Sequence, residues 1–346
     1  MRSGTFKQRY AELVALSDNP AKWAWCALAV AAAAALPLLA NSYVLGLATT
    51  IAITAIAVLG LNLLTGVAGQ LSLGHAGFLA LGAYTQAILA TDHGWPALAA
   101  LPLAGLVAAL ASLAVGIPSL RLKGLYLALT TLGFSVIVTY VLVMAEGLTR
   151  GPSGMPVPTL AVAGLGHGPT VYLLALALLL AAVLGALNLM RSKIGRAWTA
   201  LHDHDIAASA MGINLSAYKL LAFVVSAFYA GVAGALLALQ ARYINVDGFG
   251  VLLSVEALAM LIVGGVGRVS GALLGAAFLI ALPEVIRLGF GGTGSRLDNL
   301  FANHAHEVKE LLYGAAILLF LRLEPEGLAG IWRKTKRFWV LWPLSK

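Results

Sequence analysis

Long apolar stretches alternate with short polar ones along nearly the whole chain. A transmembrane helix needs about 20 mostly apolar residues. Ten stretches reach or approach that length: Trp23–Ala40, Val44–Leu64, Ala76–Ala90, Pro96–Ile117, Leu125–Ala145, Val171–Met190, Leu220–Leu239, Leu252–Gly264, Gly271–Leu288 and Leu311–Leu321. The pattern predicts an all-α, polytopic integral membrane protein with about ten transmembrane helices. Because the third, eighth and tenth stretches are short, eight or nine spans, or a re-entrant pair, are the alternatives.

The composition supports a membrane protein. Of the 346 residues, 60% are hydrophobic and only 10% are charged, whereas a soluble domain is about 25% charged. A net charge of +8 would suggest a nucleic-acid partner in a soluble protein. In a membrane protein the position of the basic residues matters more than their sum, so we expect no nucleic-acid partner.

The basic residues predict the orientation of the chain. With ten spans, 17 Lys and Arg residues fall on the side of the N-terminus and 5 on the other side. Cytoplasmic loops are the ones enriched in Lys and Arg, so both termini and the polar loop Arg191–Lys219 are predicted to be cytoplasmic. We divide the chain into a cytoplasmic N-terminal segment (1–22), a transmembrane domain (23–322) and a basic cytoplasmic tail (323–346).

The loop Arg191–Lys219 is the longest polar interruption with helical character. Apolar residues recur at approximately helical spacing, although Asp205 interrupts the pattern, and Gly212 supplies a stop signal. A short amphipathic helix between two spans is therefore predicted. Such a helix either lies on the lipid surface or docks into another protein.

Two intramembrane features are candidates for a substrate pathway. In Asn62–Tyr84, Gln70, Ser72 and His75 occur among five glycines, which is typical either of a broken helix inside the bundle or of a tight cytoplasmic turn. The second feature is Glu256, because a lone carboxylate within a span costs roughly 2.5–3.5 kcal/mol and needs a partner or a water-filled cavity.

Motifs for catalysis and for cofactor binding are missing from the sequence. GxxxxGK[ST], GxSxG and HExxH do not occur, and the His and Cys residues lack metal-ligand spacing. We therefore expect no catalytic residue, metal or cofactor in this chain. Energy for uphill transport would come from another subunit, or from an ion gradient in a secondary carrier centred on Glu256. A membrane scaffold that transports nothing is a further alternative.

Five segments resemble the LivM-type permease subunits of branched-chain amino acid ABC importers, in the order and spacing of that family. They cover much of the chain: GLNLLTGVAGQLSLGHAGFLALGAYT, LRLKGLYLALTTLGF, SKIGRAWTALHDHDIAASAMGINLSAYKLLAFVVSAFYAGVAGAL, LIVGGVGRVSGALLGAAFL and LRLEPEGLAGI. The resemblance implies an inner-membrane permease that pairs with a LivH-type subunit. It also implies two ATPase subunits, which hold ATP and Mg²⁺, and a periplasmic substrate-binding protein.

The resemblance also assigns a function to the polar loop. Importer permeases carry a cytoplasmic coupling helix with a motif similar to EAA-x3-G, and Ile206-Ala207-Ala208-x3-Gly212 has that spacing with Ile206 in place of Glu. The implied ATPase-coupling residues are Gly195, Arg196, Asp205, Ile206, Ala207, Ala208 and Gly212.

The chain departs from the family pattern in one outer loop. The family reads near TGG-x-[ND]-G-L there, whereas this chain reads Thr149-Arg150-Gly151-Pro152-Ser153-Gly154-Met155, which places a positive charge at Arg150. Related permeases carry urea, short amides or aromatic acids, so these substrates stay open beside branched-chain amino acids.

Overall fold

The computed structural model describes residues 20–161, 164–290, 305–324 and 326–341. Residues 1–19 of the predicted N-terminal segment lie outside that part of the chain. The described helices are α1 (Pro20–Leu39), α2 (Ser42–Leu61), α3 (His75–Thr91), α4 (Ala97–Ser119), α5 (Leu125–Met144), α6 (Glu146–Thr149), α7 (His167–Arg191), α8 (Lys193–Asp203), α9 (Asp205–Ala210), α10 (Leu215–Ala241), α11 (Val251–Gly264), α12 (Val269–Phe290), α13 (Ala305–Leu323) and α14 (Gly327–Leu341).

Each predicted apolar stretch is helical over most of its length. Within the described residues, six helical segments are long and apolar enough to cross a membrane: Ser42–Val67, Ala97–Ser119, Leu125–Met144, His167–Arg191, Leu215–Ala241 and Val246–Gly264. The all-α polytopic architecture is therefore confirmed. The number of ten spans stays a prediction, because α1, α3, α12 and α13 do not meet that criterion in full.

Helix α10 lies at the centre of the bundle and packs against α2, α3 and α4. Small residues allow the backbones to approach closely. A Cβ atom added at Gly82 of α3 would overlap the carbonyl oxygen of Gly231 in α10, and one added at Gly234 would overlap that of Leu79. Lipid tails are as apolar as leucine, so close packing rather than the hydrophobic effect holds such helices together.

A second glycine contact joins α11 to α12. Gly264 faces Gly271, and a Cβ atom at Gly275 would overlap the carbonyl oxygen of Met260. Gly271 and Gly275 thus allow the backbones of α11 and α12 to approach closely. Gly267 differs, because it lies in the turn between the two helices with a φ of +80°, a conformation that glycine tolerates best.

The two ends of the bundle differ. At one end, which we call the hairpin end, strands β1 (Met155–Pro156) and β2 (Tyr243–Ile244) pair antiparallel. At the other, the basic end, lie α8, α9, α14 and the turns that carry Lys123 and Arg268.

We expect Gly82→Ala to destabilise the bundle, because the new methyl group must push α3 away from the backbone of α10. Overpacking of this kind costs about 1–3 kcal/mol of unfolding free energy. Thermal unfolding of the purified wild type and variant in detergent would measure this loss of stability.

Gly46→Ala in α2 is the matched control, because its added Cβ has nothing within 4 Å. Alanine is the better helix former by about 1 kcal/mol, so this variant should lose no stability. Equal destabilisation of both variants would contradict the close approach of α3 and α10.

Candidate functional site

The polar loop between α7 and α10 folds as two helices rather than the single helix predicted for Arg191–Lys219. Helix α8 begins after Ser192, whose hydroxyl accepts from the backbone N–H of Ile194 and Gly195. It ends at His204, whose backbone is extended, with φ −153° and ψ 100°. Asp205 then starts the six-residue helix α9. The sequence prediction was wrong about one continuous helix because it spread the apolar spacing across this extended residue.

Helix α8 is attached to the bundle by its apolar face. Trp198 is fully buried, and its indole N–H donates to the carbonyl oxygen of Tyr218 over 2.9 Å. Gly195, a predicted coupling residue, is buried where a Cβ would overlap the backbone of Met190. Arg196, another predicted coupling residue, is exposed, and its guanidinium donates to the carbonyl oxygen of Arg191. Only the Arg196 side of α8 therefore faces outward.

Helix α9 presents an apolar surface away from the bundle. Ile206 is 78% exposed and Met211 is 84% exposed, while Ala208 is buried against the protein. Ala207 is exposed beside Ile206. The helix stops at Gly212, which has a φ of +81°. The short helix α9, for which the family resemblance implies a coupling function, thus exposes apolar residues at the basic end.

Asp205 forms an ion pair with Lys123, which lies in the turn between α4 and α5. The hydrogen bond from the Lys123 ammonium holds the pKa of Asp205 below its ordinary value, and the charge of Lys219 acts in the same direction. These three side chains line a polar cavity of about 240 Å³, together with Gln70 and His202. The pair connects α9 to the start of α5.

Sequence reasoning missed Lys123 and Lys219. A usable signal existed for Lys219, because a lysine in the first turn of an apolar helix needs a polar partner or access to water. Its side chain is indeed buried, with an exposed fraction of 6%. Nothing in the sequence indicated that Lys123, 82 positions before Asp205, is the partner of that carboxylate.

The chain between α2 and α3 is a broken helix. Helix α2 continues as a π-helix over Asn62–Val67, and α3 starts only at His75. The His75 Nε2 atom is hydrogen-bonded to the carbonyl oxygen of Ala57 over 2.9 Å. Ala57 precedes Val67 by ten residues, or about 15 Å along a helix, so α3 begins deep inside the bundle rather than at its end.

Polar groups of other helices satisfy the backbone around this break. The Leu73 N–H donates to the Thr131 hydroxyl over 3.0 Å, and the Ala76 N–H donates to the Ser254 hydroxyl over 2.8 Å. Ser72 Oγ and His75 Nδ1 are buried and have no hydrogen-bond partner among the described protein groups. The break therefore places two polar atoms that can still form hydrogen bonds inside an apolar bundle.

The break also contacts the basic end. A Cβ at Gly69 would meet the His202 ring of α8 at 3.1 Å. Gln70 is buried, and its side-chain amide donates to the carbonyl oxygen of Ala68 over 3.3 Å. A movement of α8 and α9 would therefore reach the broken segment directly.

Glu256 lies apart from Gln70. It is buried on α11 and lines a cavity of about 360 Å³, together with Glu284, Tyr313 and Thr50. Ala57, whose carbonyl oxygen is bonded to His75, lines the same cavity. The structure thus separates the four predicted pathway residues. Gln70 lines the polar cavity of about 240 Å³ at the basic end, and Glu256 lines the cavity of about 360 Å³. Ser72 and His75 line neither of these two cavities.

Comparison with known proteins identifies the family. The family described as branched-chain amino acid transport system / permease component matches residues 43–321. The permease protein LivM of the high-affinity branched-chain amino acid transport system of Escherichia coli is 33% identical over 327 residues, which cover 87% of this chain and 73% of that protein. No solved structure matches the chain.

Other relatives match over less of the chain. The probable branched-chain amino acid transport permease protein LivH of Methanocaldococcus jannaschii is 31% identical over 44% of this chain and 45% of its own length. The autoinducer 2 import system permease protein LsrC of Enterobacter sp. is 31% identical over 41% of each chain. The chain belongs to the family of branched-chain amino acid transport permease components.

Asp205→Asn should release α9 from α5, because the ion pair with Lys123 is lost. We expect backbone amides of α9 to exchange with deuterium several-fold faster at pH 7, measured by mass spectrometry. Asp203→Asn, which removes the same charge from an exposed residue of α8, is the matched control and should leave α9 unchanged.

The faster amide exchange of α9 in Asp205→Asn should depend on pH. Because the pKa of Asp205 is depressed in the folded protein, its contribution is present above the ordinary aspartate pKa of about 3.9. It is lost as the pH falls through the depressed value. The difference between wild type and Asp205→Asn should therefore narrow at low pH, and a difference that stays constant to about pH 2 would contradict the ion pair.

Proposed function

We propose that the chain is the permease subunit of an ATP-binding cassette importer that moves branched-chain or other hydrophobic amino acids across the bacterial inner membrane. The observation that carries this proposal is the match to LivM, which extends over 87% of the chain. The exposed apolar surface of α9 supports it, because a subunit without an ATPase motif needs a contact through which an ATPase can act.

In this proposal, α9 is the coupling helix. Ile206, Ala207 and Met211 enter a cleft of the ATPase, and the buried Ala208 keeps α9 close to the bundle. The partner ATPases hold ATP and Mg²⁺. When they close, α9 moves, and its ion pair to Lys123 passes the movement to α5. The contact of His202 with Gly69 passes it to the broken segment. The spans then alternate between outward-facing and inward-facing states.

The broken segment and the Glu256 cavity are proposed to serve the substrate. An amino acid carries a carboxylate and an ammonium group. The start of α3 near Ser72 and His75 offers the positive end of a helix dipole at membrane depth, which suits a carboxylate. Glu256 offers a negative charge in a cavity of about 360 Å³, which suits an ammonium group. Gln70 lies on the route towards the basic end.

The orientation of the chain determines where we place the remaining subunits. Because Lys and Arg concentrate at the basic end, we place that end and both termini in the cytoplasm. A second permease of the LivH type completes the membrane part. The periplasmic binding protein docks at the hairpin end, where Arg150 is exposed and paired with Asp92 over 3.2 Å.

The proposal is tested by affinity purification of the tagged chain in mild detergent, followed by reconstitution into vesicles. We expect two ATPases and a second permease to co-purify. Uptake of radiolabelled leucine should require internal ATP and external binding protein, and should survive dissipation of ion gradients. A chain that purifies alone, and whose uptake needs a gradient but no ATP, would be the ion-coupled carrier instead.

The same vesicles test Glu256. Glu256→Gln should lower leucine uptake while the ATPases still co-purify, and Glu146→Gln, an exposed glutamate at the hairpin end, is the control. Undiminished uptake by Glu256→Gln would remove that residue from the pathway.

Gly212→Leu should uncouple ATP hydrolysis from uptake while expression stays normal. A φ of +81° is strained for leucine, so the end of α9 must change its course. Gly212→Asn is the matched control, since asparagine tolerates this conformation better than other residues with a side chain. Wild-type uptake by Gly212→Leu would count against α9 as the coupling helix.

A further inference from the structure

Helix α14 leaves its apolar face uncovered. Leu328, Ile331, Trp332 and Thr335 recur at the spacing of one helix face. They line a groove of about 480 Å³, whose opposite wall comes from α12: Leu274, Ala277 and Phe278. Ile331 is 43% exposed and Trp332 is 68% exposed. Both side chains are therefore open to contact with lipid or with another molecule.

Basic residues flank this apolar face of α14. Arg333, Lys334 and Lys336 are exposed, and the segment Arg322–Lys346 holds six basic residues against two acidic ones. Lys336 follows Trp332 by four residues, so it lies on the same side one turn later. A basic helix with an aromatic apolar face is typical of helices that lie at the boundary between lipid headgroups and acyl chains.

Contacts with the turn between α11 and α12 hold α14 in place. Arg268 in that turn pairs with Glu326 over 3.6 Å, and a Cβ atom added at Gly265 of the same turn would overlap the carbonyl oxygen of Glu326. Lys334 of α14 pairs with Glu324, which follows α13, over 2.6 Å. Arg333 also pairs with Glu326 and, as the largest cause, holds the pKa of that carboxyl below its ordinary range. The groove is therefore built into the fold, because both of its walls are attached to the same turn.

The apolar wall on α12 begins near the basic end of that helix. Leu274 and Phe278 follow the start of α12 at Val269 by five and nine residues, which is about 7–14 Å along the helix. Amphipathic interfacial helices sink their apolar face about 5–10 Å into the boundary of the acyl region. An acyl chain in the groove would place its headgroup beside the basic residues that flank the apolar face of α14.

We propose that α12 and α14 form a binding site for an anionic phospholipid of the leaflet at the basic end, with an acyl chain in the groove and the phosphate beside Lys336. The charge of the site selects an anionic over a zwitterionic headgroup. The proposal takes from the preceding section only the orientation of the basic end. It does not depend on the substrate or on the ATPases.

Native mass spectrometry of the purified chain in mild detergent tests the site, with dioleoyl-phosphatidylglycerol and dioleoyl-phosphatidylcholine as probes. We expect the anionic lipid to bind several-fold more tightly. Lys336→Gln should remove most of this preference. Arg121→Gln, which deletes an exposed charge elsewhere at the basic end, should leave it intact. Ala277→Phe fills the groove and should weaken the binding of both lipids.

Three results would overturn the proposal. Equal binding of the two lipids by the wild type would show that the charge does not select. If Lys336→Gln and Arg121→Gln lose the preference for the anionic lipid equally, that preference reflects the overall charge of the basic end rather than a site at Lys336. Loss of ATPase co-purification in Lys336→Gln, with unchanged lipid binding, would assign α14 to a protein contact. Lipid binding is measured on the purified chain alone. If the transport assignment fails, the ATPases do not co-purify and uptake needs no ATP, but the lipid preference remains.

Discussion

Every backbone polar group inside a bilayer needs a partner within the protein, and the architecture of this chain follows from that requirement. The break between Val67 and His75 would be costly in lipid. It persists because the hydroxyls of Thr131 and Ser254 accept from the freed N–H groups next to it. Asn62, at the start of the π-helix, also accepts from the Gly267 N–H in the turn between α11 and α12. Two helices far from the break in sequence, α5 and α11, are thus required for one irregular segment. The same requirement explains why the segment is enclosed by α2, α5 and α11.

The broken segment lies between the two cavities to which we assign functions in transport. On one side, Gly69 and Gln70 contact the polar cavity of the basic end, where Asp205 meets Lys123. On the other side, the first turn of α3 is bonded to Ala57, which lines the cavity of Glu256. A displacement of α9 therefore has a continuous path of packed groups into the bundle. Two discrete arrangements of such a path are what an alternating-access permease requires.

The basic end combines three kinds of contact within one surface. Helix α9 exposes apolar side chains, α8 anchors the loop through Trp198, and α14 lies beside α12 with an apolar groove between them. A lipid held in that groove would meet α12, whose glycines pack against α11 and so against the carrier of Glu256. Lipid at this position would therefore contact a helix that packs directly against the proposed substrate cavity.

The sequence by itself determined the helical membrane class, the positions of the apolar helices and the family, because these depend on composition, period and motif. It also located the end of the short helix α9 at Gly212. Only the tertiary structure decided that this loop is two helices divided at His204, that Lys123 is the partner of Asp205, and that Gln70 and Glu256 belong to different cavities. Periodicity reports the environment of a residue along its own helix. Pairing across 82 positions and the depth of a break depend on how separate helices pack, which no local pattern records.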